Sequence, residues 1–186
     1  PDGQVQVMQA LRQAVLGVVE RSGGRNERFD GDGYFVSFVG PDTREDDAMA
    51  AIRTGLDVAS AVAAAGQRIG QPLQMRVGIA SGAVVVGRRE DRTVMPDEGY
   101  IGASINLAKR LASKAPPGRV AVADATRRLA GRFFEYEPIE GLELSDFEDE
   151  VRAWTVSGGS QVASRFVAAQ DARPIQPIIG REAELA

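Results

Sequence analysis

Two long amphipathic runs, each followed by short β-type runs, constrain this chain more than any other feature. Val7, Met8, Leu11, Val15, Val18 and Val19 recur at helical spacing and stop at Gly23-Gly24, which predicts a helix over residues 4–22. Residues 25–30 and 34–39 then flank a Gly31-Asp32-Gly33 turn, the pattern of a β-hairpin. After the Gly40-Pro41 break, Thr43 and Asp46 resemble a capping box, and Met49, Ile52, Leu56 and Ala59 give a second helix down to about Ala65. Residues 75–79 alternate as a strand, Ser81-Gly82 turns, and 83–87 return, which predicts a second hairpin. A polar loop over 88–98, a helix over 100–114, a short buried strand at 120–122, a helix capped by Asp124, and closing strands at 133–136 and 151–156 complete the order.

That order implies an α/β (α+β) sandwich with a mostly antiparallel sheet. With one strand ahead of the first helix, its core is a ferredoxin-like β-α-β-β-α-β plan, extended by further C-terminal α/β elements. The pattern fades after Ser157. Residues 1–157 are therefore expected as one domain and 158–186 as a linker. The chain begins with Pro1, so a fragment of a longer protein is expected.

Composition narrows the chemistry. The 186 residues include no Cys and no His. There is thus no thiolate nucleophile, no Cys-based metal site, and no imidazole base or ligand. Carboxylates, Lys, Arg, Asn, hydroxyls and backbone amides remain, an inventory suited to hard, oxygen-preferring cations and to phosphate. The net charge of −4 argues against a general nucleic-acid binder. No stretch reads as a membrane span of about 18 apolar residues and no secretory signal stands at the start, so a cytoplasmic address is expected. No Walker A run is present.

Three features are candidates for function, and each also has a plain structural reading. Asp32 between two glycines is a good hairpin turn, or else a carboxylate exposed where a phosphate-bound Mg²⁺ approaches. Asn106 and Arg110, four apart on one helix face, are a solvated stripe beside Lys109, or else an amide for a ribose and a guanidinium for developing phosphate charge. Residues 107–132 hold seven Lys or Arg against Asp124 alone, whereas 133–150 hold eight acids and no base. These are two solvated surfaces, or a basic face for a polyanion, or complementary patches that favour head-to-tail self-association.

Read together, several motifs resemble a known family. They are Gly31-Asp32-Gly33 with the following strand, Thr43-Arg44-Glu45-Asp46-Asp47-Ala48, residues 75–87, residues 102–111, Pro117-Gly118-Arg119-Val120, and Val151-Arg152-Ala153-Trp154-Thr155-Val156. In order and spacing, residues 4–157 resemble the class III nucleotide cyclase homology domain, the catalytic domain of bacterial adenylate cyclases. The tail at 178–185 resembles the opening of the ATPase module that often follows such domains.

The resemblance implies conversion of ATP to cyclic AMP and pyrophosphate in a head-to-tail homodimer, with two Mg²⁺ or Mn²⁺ ions per site. It implies that Asp32 is the second metal-binding Asp, and that Asn106 and Arg110 position the ribose and stabilise the transition state from the opposite subunit. The family's first metal Asp would precede Pro1. The family's adenine-reading Lys falls at Arg28, and its acidic partner near Gly99, with Glu98 one step away and Asp97 two. A Lys that often holds the triphosphate falls at Ser145. These departures also allow a second reading, a catalytically weak or inactive cyclase-like module. It would dimerise, sense nucleotide, and regulate a downstream ATPase or transcription-regulator domain.

Overall fold

The computed structural model describes residues 2–30, 33–38, 46–86, 100–140 and 152–159. Helix α1 (Asp2–Ser22) leads into strands β1 (Arg25–Asp30) and β2 (Gly33–Ser37), which pair antiparallel in register Asp30↔Gly33. Helix α2 (Asp47–Arg68) follows, then β3 (Val77–Ile79), β4 (Val85–Val86), β5 (Tyr100–Ile101) and helix α3 (Ala103–Lys114). Strand β6 (Val120–Ala123) runs directly into helix α4 (Asp124–Ala130), and β7 (Phe134–Pro138) and β8 (Ala153–Gly159) close the order.

The main sheet has strand order β3-β6-β8-β7. Only β3 and β6 pair parallel; β6–β8 and β8–β7 are antiparallel. The expected α+β class with a mostly antiparallel sheet is therefore what forms. The run α1-β1-β2-α2-β3 supplies the last five elements of the β-α-β-β-α-β plan, and α3 to β8 are the C-terminal additions.

Side-chain size on β6 sets the layers. Successive strand residues point to opposite faces. Val120 and Val122 pack with Ile52, Met49 and Ala48 of α2, whereas Ala121 and Ala123 pack with Leu111 of α3 and with Ala115 just beyond its end. All four β6 residues are buried, as a strand covered on both faces requires. Strand β8 repeats the division: Val156 faces the α2 side and Ala153 the α3 side. The other side of α2, through Val58 and Val62, packs on Val15, Val18 and Val19 of α1, joined by Tyr34 and Val36 of β2.

Several local expectations change. The second hairpin does not form: β3 pairs with β6, and β4 pairs with β5, Val85 opposite Ile101. Apolar alternation marks a strand but not its partner; beside β6, β3 is half-buried between α2 and α3. Helix α3 starts at Ala103 rather than at 100, because Tyr100 and Ile101 are the strand partner of β4 and Gly102 intervenes, extended, at φ 175°. Asp124 does not cap α4 with its side chain; Ala123 holds the cap position, and the Asp124 carboxylate is taken by Arg127, Arg128 and Trp154. Asp46 precedes α2 without a side-chain cap bond. Thr43, the rest of the expected capping box, lies outside the described residues, as do the loop at 88–98 and the linker and tail from 160. Against expectation, one helix reaches the length and mean hydropathy of a membrane crossing, Asp47–Arg68 at 1.3. Its apolar residues are the ones packed between α1 and the sheet, with Ile52 and Val62 fully buried.

Candidate active site

Helix α3 is the part of the expected site that the structure describes most fully. Leu107, Ala108, Leu111, Ala112 and Ala115 face the sheet, the spacing of one helix side. The seam is close because β3 contributes Gly78: a Cβ there would strike the Ala108 carbonyl and the Ala112 amide, and would lie 3.0 Å from the Ala112 Cα. The C-terminal end of the helix is also tied to the chain before β3, where the Arg76 guanidinium donates to the Ser113 carbonyl at 3.3 Å. A cation on the last carbonyls of a helix suits the sign of its dipole.

The N-terminal end rests on a different support. Gly102 is pressed against the segment before β4: a Cβ there would lie 2.6 Å from the Ala83 carbonyl oxygen and 3.3 Å from Val84 Cγ1. Gly82 approaches Ser104, whose Cβ would be 3.1 Å from a Cβ on that glycine. The Gly102 carbonyl accepts from the Ile105 amide at 3.2 Å and so opens the helix.

With its inner side fixed in this way, α3 turns Asn106 outward, exposed, and carries Arg110 half-buried one turn on. The pair expected from sequence is thus brought together at i, i+4. An exposed amide and a fork of guanidinium donors on one rigid helix can orient a hydroxyl-bearing ligand and offset negative charge on phosphate. The remaining expected residues are only partly placed. Arg28 stands on β1 opposite Phe35, and its side chain lies outside the described residues. Asp32, Glu98, Gly99 and Ser145 lie outside them altogether. Among the described residues no group of three or more acidic side chains is gathered to hold a metal. A groove between α1 and α2, lined by Ala10, Gln13, Ala65 and Arg68, is separated from α3 by α2 and the sheet.

Two polar clusters draw on partners distant in sequence. Asp124 Oδ1 accepts from the Arg127 Nε at 3.0 Å and from the Trp154 indole at 3.2 Å, and the Arg127 guanidinium stacks 4.4 Å over the Trp154 ring. Burial alone would raise the Asp124 carboxyl. The hydrogen bond and charge of Arg127, with the Trp154 bond and the Arg128 charge, outweigh it and hold the carboxyl below its usual value. Part of the basic run at 107–132 is therefore engaged within the fold. Burial pushes the neighbouring Tyr136 phenol up to about 12, against the charge of Arg127. Its buried hydroxyl has no hydrogen-bond partner among the described residues. The second cluster joins Thr126 Oγ1 to Ser81 Oγ at 3.1 Å. The two residues are 45 apart in sequence, so no local pattern reveals them.

Known proteins share this fold. The chain is 33% identical over 183 residues to an uncharacterized protein of Rhizobium meliloti (strain 1021), covering 97% of this chain and 17% of that protein. It is 30% identical over 124 residues to an adenylate cyclase of Mycobacterium tuberculosis (strain H37Rv), covering 67% of this chain and 28% of that protein. The chain thus spans well under a third of the length of either relative. The crystal structure of the guanylyl cyclase Cya2 matches with a TM-score of 0.72 at 27% identity, over 86% of this chain and 84% of that one. The adenylyl cyclase CyaB from P. aeruginosa shares the fold, with a TM-score of 0.78 at 24% identity over 87% and 85% of the two chains. The family of adenylate and guanylate cyclase catalytic domains matches residues 5–158, and it is to this family that the chain belongs.

Proposed function

We propose that residues 1–157 form the catalytic domain of a nucleotidyl cyclase that converts ATP to cyclic AMP and pyrophosphate in a head-to-tail homodimer. Residues 158–186 are then the linker towards a downstream ATPase-like module. Each composite site takes Asp32 from one protomer and Asn106 and Arg110 from the other. The observation that carries this reading is the placement of exposed Asn106 and half-buried Arg110, one turn apart, on a helix held at both ends. In the reaction the ribose 3′-oxygen bonds to the α-phosphorus, the bond from that phosphorus to the pyrophosphate oxygen breaks, and the 3′-hydroxyl proton is lost. Asn106 orients the ribose, and the Arg110 guanidinium offsets charge as it develops on phosphate, the kind of donor whose removal costs about 10²–10³ in rate.

The donor chemistry fits Mg²⁺ or Mn²⁺. A chain without His or Cys offers oxygen ligands, and the Asp32 carboxylate is the residue assigned to hold metal. When bound, two such ions neutralise the triphosphate and activate the 3′-hydroxyl. Arg28, with Glu98 and Gly99, is assigned to the base. An adenylate cyclase among the relatives favours ATP over GTP.

A turnover assay on the full-length protein, with both triphosphates and both metals, tests the reading. Cyclic AMP should form from ATP, and Asp32→Ala should abolish it. Mixing Asp32→Ala with Asn106→Ala chains should restore part of the activity, because one of the two composite sites in a mixed dimer is intact. Absence of turnover with either triphosphate would leave a dimerising, nucleotide-sensing module in place of an enzyme.

A further inference from the structure

We infer that Thr126 is a positioning residue: through its hydrogen bond to Ser81 it sets the segment on which the first turn of α3 rests, and hence the placement of Asn106. This deepens the cyclase reading and rests on it.

The inference starts from a contrast between two buried threonines. Thr54 donates to its own helix, to the Ala50 carbonyl at 2.7 Å, the usual outlet for a hydroxyl inside a helix. Thr126 is fully buried and instead donates across the fold, to Ser81 Oγ at 3.1 Å. The two partners sit just beyond the same ends of neighbouring parallel strands. Ser81 follows β3 by two residues, and Thr126 is the third residue of α4, which continues β6 without a break. The bond therefore fixes where the chain goes when it leaves the sheet.

What leaves the sheet there is the seat of α3. Gly82, the next residue, meets Ser104, and the Ala83 carbonyl meets Gly102. Gly102 and Ser104 flank the start of the helix, and Asn106 is two residues further on. The β4–β5 pair that also borders this end has two residues in each strand, too little to hold a position alone. Without the Thr126 bond, residues 81–84 lose their tie to the core and the Asn106 amide shifts relative to the ribose. Misplacement by about 1 Å costs up to about 10²-fold in rate.

The test uses the full-length protein with Thr126→Val, which keeps the shape and removes the donor, Thr126→Ser, which keeps the donor, and Ser81→Ala. Thr126→Val should lower kcat about tenfold with KM for ATP unchanged. Thr126→Ser should stay within about twofold of wild type. The Thr126→Val/Ser81→Ala double variant should be no worse than the poorer single variant, the signature of one shared interaction. Amide exchange at 82–84 and 103–107 should quicken in Thr126→Val while α1 and α2 keep their protection. If Thr126→Val retains wild-type exchange at those amides, or loses protection everywhere alike, the inference is wrong. A wild type without turnover would instead sink the cyclase reading, and the exchange pattern would still decide the link from Thr126 to α3.

Discussion

The two ends of α3 are held by unlike materials. Near Ala108 and Ala112 the helix lies against β3 and β6, with Gly78 in backbone contact and Ala121 and Ala123 buried beneath. Near Gly102 it meets the segment before β4 and the thin β4–β5 pair, where Val85 is 68% and Ile101 52% exposed. The first support is part of the core, and the second is held by a few local contacts. Asn106 stands between the two, two residues from Ser104 and two from Ala108, and Arg110 lies over the first, between Ala108 and Ala112. The difference teaches that one helix can carry two polar groups with separate sensitivities: the guanidinium to packing of the sheet, the amide also to the loop before β4.

Five substitutions would break or sharpen that contrast. The largest effect is expected from Asn106→Ala, which removes an exposed group: kcat should fall about 10²–10³-fold with an unchanged melting temperature. A drop in melting temperature of more than a few degrees would mean that Asn106 holds the fold rather than the substrate. Next is Gly78→Ala on the firm side. Its Cβ meets backbone that cannot yield, so stability should fall by about 1–3 kcal/mol, read by denaturant unfolding. A neutral result would show that α3 moves freely over the sheet.

Tyr136, also on the sheet side, should give a smaller effect that depends on pH. Its folded phenol keeps its proton up to about 12, whereas the unfolded value is 10.0. The folded state thus binds more protons between these values, and its stability falls as pH rises through that window. Tyr136→Phe should flatten that alkaline loss while changing little at neutral pH, where the hydroxyl forgoes no bond to a described residue. Equal alkaline slopes for both proteins would remove Tyr136 as the cause. The smallest effect belongs to the thin side: Val85→Thr or Ile101→Thr should change stability by no more than about 0.5 kcal/mol. A larger loss that depends on protein concentration would show that a second copy covers this pair.

Legibility in the sequence follows the same division. Valines and a Gly-Gly stop gave away α1, and the apolar run at 120–122 gave away a buried strand, because period and burial are local properties. The Asn106–Arg110 spacing was legible for a related reason, since any helix puts i and i+4 on one side. Partner choice was not. Val77–Ile79 and Val85–Val86 look like two arms of a hairpin, yet the first pairs with distant β6 and the second with β5. Asp124 looked like a cap because its type suits one, but the guanidinium of Arg127 claims it from one turn on in the same helix, and the Trp154 indole arrives from tertiary packing. The Thr126–Ser81 bond was hidden for the same reason. Asp32 was offered by its glycine-flanked turn as well as by family likeness, whereas the base-reading residues rested on family likeness alone; Asp32, Glu98 and Gly99 lie outside the described residues.

The alternation of valine and alanine along β6 carries a consequence for engineering. The small residues act as a shim of fixed thickness beneath α3. Enlarging Ala121 or Ala123 would press on Leu111 and shift the helix, and with it the Arg110 guanidinium. Variants that fold well could then be catalytically mute, and a screen for stability alone would pass them.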